Sequence, residues 1–164
     1  MFEKQRTIKQ EITYSGVGVH TGNECTITFK PAEPNSGIRF VRTDLSGHPS
    51  VQADIDHVVD ISRGTTLQNG EAKVHTVEHV LAAFAGLQID NMVVELDNNE
   101  PPIGDGSSKP YVDKILEAGI VNQDEDKLYL EIDQPMSYSE PERHVDLVVT
   151  PSDEKRIRQL LPSL

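Results

Sequence analysis

Val77, Val80, Leu81, Phe84 and Leu87 recur three or four residues apart and put a single apolar stripe along a helix over 76–87. One striped helix is not stable alone in water and must be laid on another layer. The flanking sequence supplies that layer. Residues 7–14 alternate and are rich in β-branched side chains, 25–30 (CTITFK) and 38–42 read as further strands, and 92–96 (MVVEL) follows the helix as another. Thr76 stands where an N-cap is wanted. Pro110 and Gly119 frame a second helix over about 110–118. Between residues 47 and 70 only short β-like pieces occur, at 51–55 and 65–67, which predict small strands or an inserted ribbon.

The order is strands, helix, strand, helix, strands. It lacks the strict alternation of a doubly wound parallel sheet, and it predicts an α+β two-layer sandwich, a mixed sheet with two helices on one face. Residues 122–127 (NQDEDK) are polar throughout and read as a linker. The expected organisation is a first domain over 1–122 and a partial second domain of the same type over 128–164, opening with a hairpin made of 128–132 and 145–150.

Apolar residues make up 36% of the 164 and aromatics only 5%, with no Trp, so the core must rest on Val, Ile, Leu and Ala. The formal net charge of -12 repels phosphate backbones and argues against a nucleic-acid partner, while leaving room for a nucleotide sugar in a local cationic pocket. A single cysteine, Cys25, allows no disulfide within the chain. The opening MFEKQRTIKQ has no apolar run of the secretory type, and the longest apolar-rich stretch, 80–87, is far too short to span a bilayer. The expected location is the cytoplasm.

Chemistry concentrates at His75-Thr76-Val77-Glu78-His79, at the head of the striped helix. An imidazole at His79 is able to hold Zn²⁺, and a carboxylate beside it at Glu78 is able to take a proton from water and return it to a leaving group. The plain alternative is that Glu78 answers the helix dipole and His79 is a surface residue. A third reading takes His75, Glu78 and His79 as the H-x-x-E-H pattern of inverted zinc peptidases, with both histidines on one helix face and Asp113 or Glu117 as generic candidates for a further ligand. The pentad alone does not choose among these.

Three blocks, in order, carry a resemblance. QRTIKQEITYSGVGVHTG (5–22), HTVEHVLAAFAGLQIDN (75–91) and EPPIGDGSSKPYV (100–112) resemble the signatures of the UDP-3-O-acyl-N-acetylglucosamine deacetylases, zinc amidohydrolases of lipid A synthesis. The resemblance implies His79 as a zinc ligand, Glu78 as general acid/base, a nucleotide-sugar lipid as substrate, and His20 as a candidate near the site; Asp105, in IGDGSS, is a further candidate to orient a site residue. The resemblance also makes His75 a departure from the family's usual residue. Taken without the resemblance, His20 is equally a polar turn residue and Asp105 a cap for the second helix. Residues 63–66 are a candidate border of the site, and His48, His57 and His144 read as surface histidines.

The family's other two zinc ligands are a His and an Asp four apart on a helix of its second domain, joined by a distal His as acid and a nearby Lys. No H-x-x-x-D occurs in this sequence; His57 and Asp60 are three apart. The tail KRIRQLLPSL (155–164) departs from the family's strand pattern. A shortened or frame-shifted reading frame would explain it. So would a joint to a 3-hydroxyacyl-carrier-protein dehydratase, whose start IRQLLP resembles. Three functions therefore stand as expectations: the deacetylase, with this chain alone nearly inactive; an inverted-motif peptidase; and a non-catalytic remnant.

Overall fold

A computed structural model of the protein describes residues 3–153. The chain divides between Lys127 and Leu128 into two compact units. The first runs β1 (Lys4–Ile8), β2 (Ile12–Val17), β3 (Glu24–Pro31), β4 (Ile38–Arg42), β5 (Ser50–Gln52), a 3-10 turn (Ile55–His57), β6 (Val58–Asp60), β7 (Thr66–Asn69), β8 (Ala72–Val74), α1 (Glu78–Leu87), β9 (Met92–Leu96), α2 (Lys109–Ala118) and β10 (Ile120–Asp126). The second holds β11 (Met136–Glu140), a 3-10 turn (Pro141–Arg143) and β12 (Val145–Val149).

The main sheet has the order β2-β3-β9-β4-β5. β9 runs antiparallel to β3 and parallel to β4, so the sheet is mixed, as expected. Ile12, Phe29, Val94, Phe40 and Val51 are successive cross-strand neighbours and form one row over the core face. Phe29 is wholly buried and meets Phe84 of α1 and Tyr111 of α2 edge-on, with ring centroids 5.4 and 6.0 Å away. One side chain therefore touches both helices, which places them on the same face. The stripe of α1 is buried as its spacing requires: Val77, Val80 and Phe84 are fully covered, and Leu81 and Leu87 pack against them. The opposite sheet face is partly exposed and carries the Lys30–Glu95 ion pair at 2.8 Å.

The short pieces between 47 and 70 resolve into β5 and, with 72–74, a three-stranded antiparallel ribbon β6-β7-β8. Its Leu67, Ala72 and Val74 join the core, and β7 and β8 lie against β5 and β4. Arg42 is buried beneath it, donating to Asp44 at 2.8 and 2.6 Å and to the Lys73 carbonyl at 2.7 Å.

Several expectations are corrected. The alternating run 7–14 is two strands, not one. Lys9, Gln10 and Glu11 are exposed and turn the chain, so that β1 pairs with β10 while β2 pairs with β3. The polar stretch 122–127 is not a linker, since it forms most of β10 and closes against β1, and the first unit reaches Lys127 rather than ending at 122. Its polarity reflects a two-stranded ribbon with exposed side chains. Asn91 fastens that ribbon to the main sheet, donating to Gln5 and Gln123 at 2.8 and 2.7 Å and accepting the Gly37 N–H at 2.8 Å. In the second unit 128–132 is not a strand; Leu128 and Leu130 are exposed there, and the hairpin is β11 with β12. One face of that hairpin carries Met136, Tyr138, Leu147 and Val149, all exposed. The tail motif IRQLLP lies outside the described residues.

Cys25 is 2% exposed, and burial first, then the Asp97 charge, pushes its thiol up to about 12. The reactive thiolate is therefore nearly absent at neutral pH. Cys25 is expected to resist a thiol reagent in the native protein and to react fully in urea. Fast native labelling, checked by the absorbance of the released reporter, would mean that β3 is not in the core.

Candidate functional site

The site is built where β8 hands over to α1. Thr76 sits at φ 54°, in the left-handed region. A β-branched residue is rarely found there, and the conformation costs on the order of 1–3 kcal/mol. Thr76 is not the N-cap expected of it: Val77 occupies that position, with no side-chain cap, and α1 begins at Glu78. The Thr76 hydroxyl donates instead to Glu100 Oε1 at 2.8 Å. The Val77 N–H donates to the Thr65 carbonyl at 3.2 Å, and the Val77 carbonyl accepts the first helical bond, from Leu81 at 3.0 Å.

Glu78 and His79 thus occupy the first turn of α1, both half-buried. The Thr65 N–H donates to Glu78 Oε2 at 2.9 Å. Gly64 passes so close that a Cβ there would stand 2.9 Å from Glu78 Oε1. The carboxylate takes a backbone N–H on Oε2, while Oε1 lies against Gly64 with no hydrogen bond among the described residues. The His79 ring makes no hydrogen bond among the described residues.

A cleft of about 280 Å³ opens beside this turn. Its walls come from three segments: His20 and Thr21 after β2, Asp60, 62–64 and Thr66 around the start of β7, and His75 with Thr76 before α1. Gly64 separates it from the Glu78 carboxylate. His20 is exposed; its Nε2 lies 3.1 Å from the Arg63 carbonyl, so the tautomer protonated at Nε2 donates there. His75 Nδ1 is 3.1 Å from the Thr66 hydroxyl, and burial first, then Lys73, holds its pKa below the ordinary histidine value.

The inverted-peptidase reading does not survive this geometry. It needs His75 and His79 one turn apart on a single helix, whereas α1 starts at Glu78 and the left-handed step at Thr76 turns the chain away before it. Asp113 and Glu117 are engaged in exposed ion pairs with Lys109 and Lys114 on α2. Asp105 accepts the Ser107 hydroxyl and N–H at 2.7 and 2.9 Å, which hold its carboxyl below the usual range, and it shapes the loop leading into α2. Its contacts are local to that loop.

Sequence reasoning missed Glu100. It is 1% exposed and takes four donors: the His20 and Thr21 N–H groups and the Thr21 and Thr76 hydroxyls. Desolvation is the largest influence on it and opposes ionisation, but the donors together outweigh it and its pKa is lowered. Its contribution to folding is complete above the ordinary value of 4.5 and is lost as pH falls through the lowered one. A hydrophobic pattern does not flag a buried carboxylate; the only signal was its place at the head of the third matching block. Gly18 makes room for it, since a Cβ there would lie 2.5 Å from Glu100 Oε2 and 2.8 Å from Thr21 Oγ1. Gly18→Ala is expected to cost about 1–3 kcal/mol by overpacking. A denaturant midpoint equal to wild type would contradict it.

Among the described residues no three His, Cys, Asp or Glu side chains stand together as a metal-holding group. His79, with its ring unengaged at the end of a rigid helix, fits the role of one ligand in a larger set.

Residues 5–161 match the family model of UDP-3-O-acyl N-acetylglycosamine deacetylase, LpxC. The chain is 55% identical over 157 residues to the bifunctional enzyme LpxC/FabZ of Chlorobaculum tepidum, covering 96% of this chain and 34% of that protein. It is 41% identical over 144 residues to the UDP-3-O-acyl-N-acetylglucosamine deacetylase of Bdellovibrio bacteriovorus (88% of this chain, 48% of that one). It is also 41% identical over 158 residues to the Chlamydia pneumoniae protein of the same name (96% and 55%). The chain spans between 34% and 55% of the length of these curated relatives. A match that runs through nearly every strand, helix and loop described above leaves one assignment: the chain belongs to the UDP-3-O-acyl N-acetylglycosamine deacetylase family.

Proposed function

We propose that this chain supplies Glu78 as general acid/base and His79 as a zinc ligand to a site that hydrolyses the N-acetyl group of UDP-3-O-acyl-N-acetylglucosamine in lipid A synthesis. The observation that carries this reading is the pair itself. Glu78 and His79 share the first turn of α1, with one Glu78 oxygen engaged by the Thr65 N–H and the other without a hydrogen bond among the described residues. Bound zinc would polarise the amide carbonyl and acidify the attacking water. In this reading the Glu78 carboxylate accepts that water's proton as the C–O bond forms. The C–N bond then breaks, and the amine leaves with a proton supplied by a second acid. That acid and the remaining zinc ligands lie, in this reading, outside the described residues. The reading places the enzyme in the cytoplasm; among the described residues no helix is long and apolar enough to cross a membrane.

The test is direct. The full-length enzyme is expected to release acetate from this substrate in a zinc-dependent way, and failure to do so would sink the reading. This chain by itself, supplied with zinc, is expected to bind it weakly and turn over little, because one ligand does not close a site. Robust turnover with one equivalent of bound zinc would overturn the ligand assignment.

A further inference from the structure

We propose that Glu100 is a positioning residue of the deacetylase site: it clamps the His20–Thr21 loop to Thr76, and so fixes the left-handed step that aims Glu78 and His79 into the first turn of α1. The inference rests on the function proposed above for that turn. Glu100 is no neighbour of Glu78 in sequence and touches neither Glu78 nor His79. It acts through two connections that leave its carboxylate in different directions. Oε2 takes the Thr21 N–H and hydroxyl at 2.8 and 2.7 Å, fastening one wall of the cleft. Oε1 takes the Thr76 hydroxyl at 2.8 Å. The His20 N–H, 3.1 Å from each oxygen, sits between them.

Thr76 is where a clamp is required. Its backbone is in a region that a threonine avoids, and such a conformation persists only when its surroundings over-determine it. The residues that follow are set by that step. Val77 N–H meets the Thr65 carbonyl, and the Thr65 N–H returns to Glu78, so the 64–66 segment and the start of α1 are locked together only if Thr76 holds. A shift of about 1 Å in a positioned catalytic group costs on the order of 100-fold in rate.

Glu100 also has few substitutes. An aspartate is one methylene shorter and does not reach both connections. A glutamine keeps one acceptor for the Thr21 N–H, which must be met, and its amide can donate to the Thr76 oxygen if that hydroxyl turns. The geometry therefore predicts graded behaviour: Glu100→Gln mild, Glu100→Ala severe.

The experiment uses the full-length enzyme and separates the two connections. Thr76→Val keeps shape and removes only the hydroxyl; it is expected to lower kcat by about 10-fold or more with KM nearly unchanged. Glu100→Ala is expected to lower kcat by on the order of 100-fold and to raise KM as well, because the cleft wall is released too. The decisive variant is Glu100→Ala combined with Thr76→Gly. Glycine adopts positive φ without a clamp, so kcat is expected to recover several-fold over Glu100→Ala while KM stays raised. Measured at a temperature well below the unfolding transition of both variants, that recovery reports positioning rather than regained stability, and its absence overturns the proposal. Hydrogen exchange gives a readout independent of turnover. In Thr76→Val the Val77 and Thr65 amides are expected to exchange about 10-fold faster, with Ile27 and Phe29 in the core unchanged. Unchanged exchange at Val77 and Thr65 overturns the clamp whatever the enzyme's activity. Enzyme that shows the exchange effect but no deacetylation would refute the proposed function and leave the clamp standing.

Discussion

Glu78→Gln in the full-length enzyme is expected to lower turnover by about 10²–10⁴-fold while bound zinc stays at the wild-type level. Glutamine has the same shape, and its amide oxygen still accepts the Thr65 N–H that now meets Oε2. The first turn of α1 therefore keeps its geometry, and what is lost is the ability to take a proton. His79→Ala is expected to do the opposite and lower the zinc content itself. Kinetics and metal analysis of the same two preparations check both statements. A Glu78→Gln enzyme that keeps more than a tenth of its turnover, or that loses its metal, would remove Glu78 from the role assigned to it.

Phe29→Ala carries the largest expected effect on stability, about 3–5 kcal/mol. Phe29 is wholly buried and meets the rings of both Phe84 and Tyr111. Removing it opens a void between the sheet and the two helices. The chain has only four Phe, four Tyr and no Trp, so little else can compensate. A domain of ordinary stability holds about 5–15 kcal/mol in all, and the variant is expected to be largely unfolded at growth temperature. Urea unfolding followed by Cys25 labelling measures it. A loss below about 1 kcal/mol would contradict the packing described, because Phe-to-Ala changes in cores rarely cost so little.

What the sequence disclosed was local. The strands at 38–42 and 92–96 match β4 and β9 residue for residue, and the stripe of α1 and the Pro110–Gly119 frame of α2 were plain in the pattern. What it hid depended on distant partners. The three consecutive polar residues 9–11 interrupt the alternation and mark a turn that a reading of 7–14 as one strand passed over, but only the pairing shows that β1 leaves for β10 while β2 joins β3. The NQDEDK stretch looks like a linker because its strand is stabilised by backbone bonds and exposes its side chains. The resemblance singled out Glu78 and His79, and the structure sets both in the first turn of α1. Glu100 and the conformation of Thr76 were not legible, because each is defined by contacts across 24 to 80 residues of chain. A capping rule correctly places a threonine near a helix start; it has no means of seeing a buried acceptor that draws the hydroxyl elsewhere.

The strand order has a consequence for how this molecule comes into being. β9 is the last of the five strands to be synthesised, yet it lies at the centre of the sheet, between β3 and β4. Until residue 96 is available, the only neighbours that can pair in this sheet are β2 with β3 and β4 with β5, which leaves an inner edge of each pair without its partner. Such edges are templates for pairing with other chains. β1 waits longer still, since its partner β10 ends at Asp126. Completion of the sheet therefore waits on long-range closure, whose loop entropy must be met before the central strand's contacts reward it. The interval in which those inner edges stay open is the time the ribosome spends between the codons for β5 and β9.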